Sequence, residues 1–129
     1  MATIAKLKTG LKFEARLHGH NLKFHSTWGV FSPKAIDEGT QLLADRLELF
    51  PTATVLDLGC GYGPLGLVAA KLAPRGSVHM VDKDFVAVEL ANFNTGVNGL
   101  DNAKAYLSNG FSHVPADTKF DAVISNVPA

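Results

Sequence analysis

A glycine-rich turn between a short apolar strand and a helix constrains this chain most. Residues 54–58 predict the strand, and Gly59, Gly61 and Gly63 occupy alternate positions after it. Glycine adopts positive φ readily and has no Cβ, so the backbone of such a turn can come close to a ligand. The turn therefore predicts a binding site at the carboxyl end of the strand, although three glycines also fit a tight structural turn.

An acidic residue, Asp82, ends the next predicted strand, nineteen positions after Gly63. At that distance a carboxylate is typically placed to accept hydrogen bonds from ribose hydroxyls. Strand, glycine turn, helix and acidic residue together predict a site for a nucleotide-like ligand. The alternative for Asp82 is an ordinary role at the start of the following helix.

Hydrophobic periodicity extends this pattern along the chain. Strands are predicted at 54–58, 77–82, 103–108 and 120–125, and helices at 37–50 (stripe Leu43, Leu47, Phe50), 64–72 and 85–98 (N-cap Asp84, stripe Val86, Leu90, Phe93, Val97). Strands that alternate with helices predict right-handed βαβ units. The predicted fold class is α/β, a Rossmann-like parallel sheet with helices on both faces.

A β-hairpin is predicted before this core, because polar and apolar residues alternate from 11 to 24. Leu11, Phe13, Ala15 and Leu17 share one face, Leu22 and Phe24 continue it on a return strand, and residues 18–21 form the turn. The 129 residues then make one domain, with a hairpin and loop at 1–32 and a cofactor-binding core at 33–129.

Charge is uneven along the chain, although the formal net charge is zero. Residues 1–35 carry six basic residues and one acidic residue, while residues 36–129 carry six and eleven. A basic segment on an acidic body favours contact with RNA, and a solvated lysine-rich hairpin is the alternative.

Cysteine usage and hydropathy exclude several other classes of protein. A lone cysteine, Cys60, cannot form a disulfide within the chain and predicts a reducing, cytoplasmic location, with the thiol as a small packing group and not a nucleophile. No apolar run approaches the roughly 20 residues that span a bilayer, so no membrane partner is expected. The five histidines lack ligand spacing, and no metal site is predicted.

Asp57, at the end of the first core strand, distinguishes between two nucleotide cofactors. The NAD pyrophosphate would be repelled by a carboxylate at the glycine turn. A sulfonium or an amino-acid ammonium would be attracted by it. The turn therefore favours S-adenosylmethionine over NAD.

At this point the sequence resembles a known family. Its motifs are Gly29-Val30-Phe31-Ser32, Asp57-Leu58-Gly59-Cys60-Gly61-Tyr62-Gly63, Val81-Asp82, Ser108-Asn109 and Ser125-Asn126-Val127-Pro128. They follow the order of the small-domain class I methyltransferases, which include the bacterial 16S ribosomal RNA guanine-N2 methyltransferases. The resemblance runs from about residue 22 to 129.

The resemblance implies roles for individual residues. S-adenosylmethionine would be bound by Phe31, Asp57, Gly59, Gly61, Gly63, Asp82 and Asn109, with Asp57 near the methionine part, Asp82 at the ribose and Asn109 at the adenine. Asn126 and Pro128 match the catalytic Asn-Pro-Pro-aromatic motif, in which the Asn orients the target amine. Val127 replaces the first proline and Ala129 replaces the aromatic residue. Trp28 and Phe31 also fit a packing role.

Three functional hypotheses stay open. The first is an N-methyltransferase that acts on an exocyclic amino group of RNA, the N2 of a ribosomal guanine. The second is methylation of a protein glutamine or a small-molecule amine, and the third is a non-catalytic fragment that binds S-adenosylmethionine. The family's sheet has seven strands, so a chain that ends after the fourth is predicted to be a fragment, to be weakly active alone, and to self-associate through the apolar edge at Val123 and Ile124. A complete small protein is the alternative.

Overall fold

The computed structural model describes residues 11–26 and 36–126. The elements, in chain order, are β1 (Leu11–Leu17), β2 (His20–Ser26), α1 (Glu38–Arg46), β3 (Thr54–Leu58), α2 (Pro64–Leu72), β4 (Ser77–Asp82), α3 (Phe85–Val97), β5 (Ala103–Leu107) and β6 (Ala122–Ser125). No helix in these two stretches is long and apolar enough to cross a membrane.

The core of the fold is a parallel sheet of four strands in the order β5-β4-β3-β6. The crossovers through α2 and α3 step in the same direction across the sheet, and both helices contact β2. Right-handed crossovers of this kind place α2 and α3 on the same face of the sheet. The predicted α/β class, a parallel sheet with helices packed on it and a hairpin before it, is confirmed. Helices were predicted on both faces of the sheet, and α2 and α3 share one of them.

Close packing of α2 against the sheet depends on Gly66. A Cβ at this position would overlap the Sδ atom of Met80 on β4. The absence of a side chain lets α2 lie directly over β3 and β4, which brings its first turn down to the glycine turn. Val55 and Met80 on the sheet and Leu67 on α2 are fully buried in this layer.

The predicted hairpin is present, but its turn is shorter than the predicted residues 18–21. Strand β2 already begins at His20, which places Phe13 opposite Phe24 and Ala15 opposite Leu22. His18 and Gly19 form its two-residue turn with φ values of 51° and 78°, as expected where a tight turn must match the twist of two strands. Phe13 and Phe24 stack with ring centroids 5.5 Å apart, and both meet the ring of Tyr62 edge-on. The hairpin therefore covers the glycine turn from one side.

Asn94 of α3 anchors the hairpin to the core. Its Oδ1 accepts the N–H of His25 at 2.8 Å, and its Nδ2 donates to the carbonyls of His25 and Tyr62 at 3.0 and 2.8 Å. One turn later, Asn98 makes the same pair of bonds with the backbone of Lys23 at 2.9 and 2.8 Å. Two amides spaced by four residues thus take the place of a neighbouring strand along β2.

The predicted end of α1 is wrong, because the helix stops at Arg46 and Phe50 is 76% exposed. In a helix that continued to residue 50, the Leu47 carbonyl would need the N–H of residue 51, and that residue is Pro51, which has none and whose ring would collide with that carbonyl. The imidazole Nε2–H of His18 donates to the Leu47 carbonyl instead, at 3.0 Å.

The predicted apolar stripe of α3 is also wrong in part. Phe93 and Val97 are 38% and 36% exposed, whereas small and polar side chains line the buried side: Ala87, Ala91, Asn94 and Thr95, beside Val88 and Leu90. Small side chains let the helix lie close to the sheet, and Phe93 packs edge-on against the His25 ring of the hairpin instead, with ring centroids 4.8 Å apart. Ile124 is likewise buried, so of the two residues predicted to form an apolar edge on β6 only Val123 is exposed.

We expect Asn94→Ala to lower the free energy of unfolding by about 3 kcal/mol, because three hydrogen bonds to backbone groups, one of them buried and two partly buried, are lost together. Asn98→Ala, on the exposed end of the same helix, is the matched control and is expected to cost about 1 kcal/mol. Urea unfolding of both variants measures the difference. Equal losses would mean that the buried amide has no special role.

Candidate functional site

Two of the three glycines in the turn face open space. Gly59, Gly61 and Gly63 have φ values of 69°, 56° and 106°. A Cβ built on Gly59 or Gly61 would meet no atom within 4 Å, whereas one on Gly63 would lie 3.0 Å from Leu67 and 3.5 Å from Ala91. The backbone at Gly59 and Gly61 is therefore accessible to a ligand, while Gly63 allows α2 and α3 to pack together.

Asp82 takes part in building the turn. Its Oδ2 accepts the N–H of Gly61 at 2.9 Å, and its Oδ1 accepts the N–H of Asp84 at 3.0 Å. Asp84 in turn caps α3 by accepting the N–H of Val86 at 2.9 Å. The helix cap that competed with a binding role for Asp82 is thus Asp84, and the Asp82 carboxylate stays half-buried beside the open glycines.

Asp57 lies under the turn and is only 1% exposed. Burial raises the pKa of this carboxyl to about 8, the nearby charge of Asp82 adds to the rise, and a hydrogen bond from the backbone N–H of Gly66 opposes it. Its Oδ2 has no hydrogen-bond partner among the described residues. A buried acceptor without a donor is costly, and a cationic or N–H-bearing ligand would satisfy it.

Cys60 has the packing role predicted for it. The thiol is buried within the turn, and the backbone N–H donates to the Val81 carbonyl at 2.9 Å. Burial first, and then the charges of Asp57 and Asp82, raise its pKa well above the ordinary value. A protonated, enclosed thiol is a poor nucleophile.

The carboxyl ends of all four parallel strands meet at one edge of the sheet. The glycine turn follows β3, Asp82 ends β4, Asn109 follows β5 after one residue, and Asn126 directly follows β6. Asn109 is exposed, and its backbone N–H donates to Ser112 Oγ at 3.0 Å. These predicted site residues share the edge at which open α/β sheets bind ligands.

Asn126 is held by two residues that the sequence analysis did not single out for the site. Its Nδ2 donates to the Thr40 hydroxyl at 2.6 Å, and that hydroxyl donates to Asp37 Oδ1 at 2.7 Å. The Thr40 N–H also donates to Asp37 Oδ2 at 3.2 Å, which makes Asp37 the N-cap of α1. An aspartate three residues before a threonine at a helix start was the available signal.

The charge state of Asp37 follows from these contacts. Burial by itself would raise the pKa of the carboxyl, but hydrogen bonds from Thr40 and Asn126 outweigh burial and hold the pKa below its usual value. Asp37 is therefore ionised and can only accept hydrogen bonds at neutral pH.

Phe31 and Pro128, two further predicted site residues, lie outside the described residues, as do Trp28, Val127 and Ala129. Within residues 11–26 and 36–126, no group of three or more His, Cys, Asp and Glu side chains could hold a metal ion.

Comparison with known proteins gives a consistent picture. The sequence profile of the methyltransferase small domain matches residues 21–129. The uncharacterized protein YbxB of Bacillus subtilis is 41% identical over 114 residues, which cover 88% of this chain and 57% of that protein. The ribosomal RNA small subunit methyltransferase C of Haemophilus influenzae is 39% identical over 108 residues, 84% of this chain and 32% of that one.

A solved structure supports the same relationship. The Thermus thermophilus 16S rRNA N2 G1207 methyltransferase, in complex with AdoMet and guanosine, superimposes with a TM-score of 0.83 and 32% sequence identity. The match covers 93% of this chain and 33% of that chain. This chain thus spans between about a third and somewhat more than half of the relatives described here.

We expect the free energy of unfolding to fall as pH rises from about 4 to about 8, through the Asp57 carboxyl. The unfolded state loses this proton near the ordinary pKa and the folded state retains it up to about pH 8, so the unfolded state binds fewer protons in this window. The largest slope for one group is about 1.4 kcal/mol per pH unit. Histidines whose folded pKa is lowered, such as His20 and His25, oppose this slope below pH 6.5.

Asp57→Asn isolates the contribution of Asp57, since the histidines are common to both proteins. Chemical unfolding of both proteins from pH 4 to 9 measures the difference in stability, which is expected to grow in favour of Asp57→Asn as pH rises. Parallel stability curves for the two proteins would contradict an elevated pKa at Asp57.

Proposed function

The chain belongs to the methyltransferase small domain family, and on that premise we propose that it binds S-adenosylmethionine at the glycine turn and takes part in methyl transfer to ribosomal RNA. The proposed acceptor is an exocyclic amino group, the N2 of a guanine. The observation that carries the proposal is the unpartnered, buried Asp57 Oδ2 beneath two glycines whose missing side chains leave open space.

The methionine end of the cofactor fits this part of the site. Its ammonium and sulfonium are cations, and Asp57 offers a carboxylate oxygen without a donor. A cation at this point would favour the ionised carboxylate and lower its pKa from about 8. The open backbone at Gly59 and Gly61 lets the ligand approach without a steric clash with Cβ.

The nucleoside end would lie along the next two strand ends. Asp82 uses each carboxylate oxygen once, for Gly61 and Asp84, and each oxygen keeps a second lone pair for a ribose hydroxyl. Asn109, exposed after β5, would contact the adenine. The Thermus relative, which is in complex with AdoMet, supports S-adenosylmethionine as the ligand of the site.

When bound, S-adenosylmethionine supplies an electrophilic methyl group, so the protein's task is mainly to position the acceptor. Asn126 stands at the end of β6 with its Nδ2 committed to Thr40, which leaves Oδ1 as an acceptor for a hydrogen of the target amine. That bond would direct the nitrogen lone pair toward the methyl group. Pro128 would shape the same pocket.

Basic residues of the hairpin support RNA as the substrate. Lys12, Arg16 and Lys23 are exposed on it, with Glu14 paired across the strands with Lys23. Lys6 and Lys8 lie outside the described residues. An RNA substrate also agrees with the cytoplasmic location proposed from the lone cysteine. Transfer to a protein glutamine or a small-molecule amine instead, or cofactor binding without transfer, is an outcome that the assays below would reveal.

We expect the protein to bind S-adenosylhomocysteine and not NAD, because a pyrophosphate at the glycine turn would lie against the Asp82 carboxylate and could not supply the cation or donor that Asp57 Oδ2 lacks. We further expect Asp82→Asn to weaken binding by about 1.5–3 kcal/mol, through lost charge-assisted bonds. Asp101→Asn, an exposed residue at the opposite end of the sheet, is the matched control. Calorimetry measures the binding of S-adenosylhomocysteine and of NAD to the wild type, and the binding of S-adenosylhomocysteine to each of the two variants. Tighter binding of NAD than of S-adenosylhomocysteine by the wild type would refute the proposed cofactor.

We expect reversal of Lys12, Arg16 and Lys23 to glutamate to weaken binding to a 16S ribosomal RNA transcript and to reduce the salt slope by about one per residue. The control reverses three exposed basic residues elsewhere, Arg75, Lys104 and Lys119. Filter binding at several salt concentrations compares the two variants. Equal slopes for both would mean that the hairpin is merely solvated.

A further inference from the structure

We propose that Asp37, Thr40 and Asn126 form a latch that sets the orientation of the Asn126 amide, with Asp37 and Thr40 as positioning residues. The inference rests on the proposed function, in which Asn126 orients the acceptor amine. Neither Asp37 nor Thr40 belongs to the motifs that carry the family resemblance. What links them to the reaction is their contact with Asn126 across the carboxyl edge of the sheet.

The donors and acceptors of the latch can be arranged in only one order. Asp37 is ionised and can only accept, so the Thr40 hydroxyl must give its single hydrogen to Oδ1 of Asp37. The Thr40 oxygen is then left as an acceptor, and the group of Asn126 that faces it must be the NH₂ group. The amide cannot rotate by half a turn without placing its oxygen against an oxygen that has no hydrogen to offer.

This direction matters because the two ends of an amide have opposite chemistry. With Nδ2 held by Thr40, Oδ1 is the end that remains for an amine hydrogen. In the reversed orientation the amide would present N–H groups to an amine, which would compete for the lone pair that must attack the methyl group. The latch thus selects the orientation in which that lone pair stays available.

Burial and a small neighbour protect the arrangement. The Thr40 side chain is buried, so water does not compete for its hydroxyl. Gly39 lies beside the amide, and a Cβ there would be 3.3 Å from both Asn126 Oδ1 and Asp37 Oδ2. The glycine leaves the space next to Oδ1 clear.

Two variants of the intact protein test the latch. Asp37→Asn keeps a good N-cap but adds an N–H donor, so the Thr40 hydroxyl can reverse. Thr40→Val removes the hydroxyl and keeps the shape. Thr40→Ser, which retains the hydroxyl, and Glu38→Gln, which removes a neighbouring exposed charge from the same helix turn, are the matched controls.

The first measurement is methyl transfer to a 16S ribosomal RNA transcript. We expect kcat to fall about 100-fold in Asp37→Asn and Thr40→Val, because catalysis by positioning is lost with small displacements. The dissociation constant for S-adenosylhomocysteine should stay at the wild-type value. The thermal unfolding midpoint of Asp37→Asn should fall only by the loss of the charge-assisted bonds at Asp37, so that the variant is still folded at the assay temperature. Both controls should retain the wild-type kcat. Wild-type kcat in both Asp37→Asn and Thr40→Val would overturn the proposal.

The second measurement needs no activity. The side-chain amide protons of Asn126 should give sharp, exchange-protected NMR signals in the wild type and in Thr40→Ser. In Thr40→Val, where only the hydrogen bond from Asn126 to Asp37 remains, the signals should be broader and exchange faster. Unchanged Asn126 signals in Thr40→Val would overturn the latch. If the wild type transferred no methyl group to RNA, the proposed substrate would be wrong, and these signals alone would decide whether the latch exists.

Discussion

The amide of Asn94 is the contact on which the arrangement of the site depends. It binds the backbone of His25 in the hairpin and of Tyr62 in the glycine turn, and it belongs to α3, so three separate parts of the chain share one fully buried side chain. Asp82 holds the same turn from the sheet side through Gly61. Because protein groups bind the turn from both sides, the left-handed conformations of its glycines do not depend on contact with a ligand. A site that is already shaped loses less conformational entropy on binding.

The region around the glycine turn also contains a side chain whose burial lowers the stability of the fold. Asp57 is enclosed without a partner for one oxygen, and its pKa rises to about 8 because burial opposes the charge. An asparagine at this position would keep an acceptor for the Gly66 N–H without a buried charge. A carboxylate that is expensive in the empty protein has strong affinity for a cation that reaches it, so stability is exchanged for binding. Such departures from the best local choice are expected where a protein functions.

Much of this architecture could be predicted from local sequence signals. The hairpin strands, the parallel strands and the glycine turn followed from alternation, apolar runs and the need for positive φ, which neighbouring residues determine. The predicted end of α1 was wrong because Pro51 acts on the carbonyl four residues earlier, at Leu47. The apolar stripe of α3 was misassigned at Phe93 because the burial of a helical side chain depends on how closely the helix packs against the sheet, which the local sequence does not show. The link from Thr40 to Asn126 joins residues 86 positions apart, and no local pattern reports it.

That long separation affects how the protein acquires its chemistry. The bond between Thr40 and Asn126 closes a loop that contains the whole parallel sheet. Contacts between residues that are far apart in the sequence form late in folding. The entropy cost of closing the long loop is offset only after contacts between residues closer in the sequence have formed. Asn126 meets Thr40 only when β6 has paired with β3 and α1 has packed on α2. In the proposed function, a chain in which β6 has not yet paired with β3 has its basic hairpin but no oriented Asn126 amide, so that RNA binding would precede the ability to transfer a methyl group.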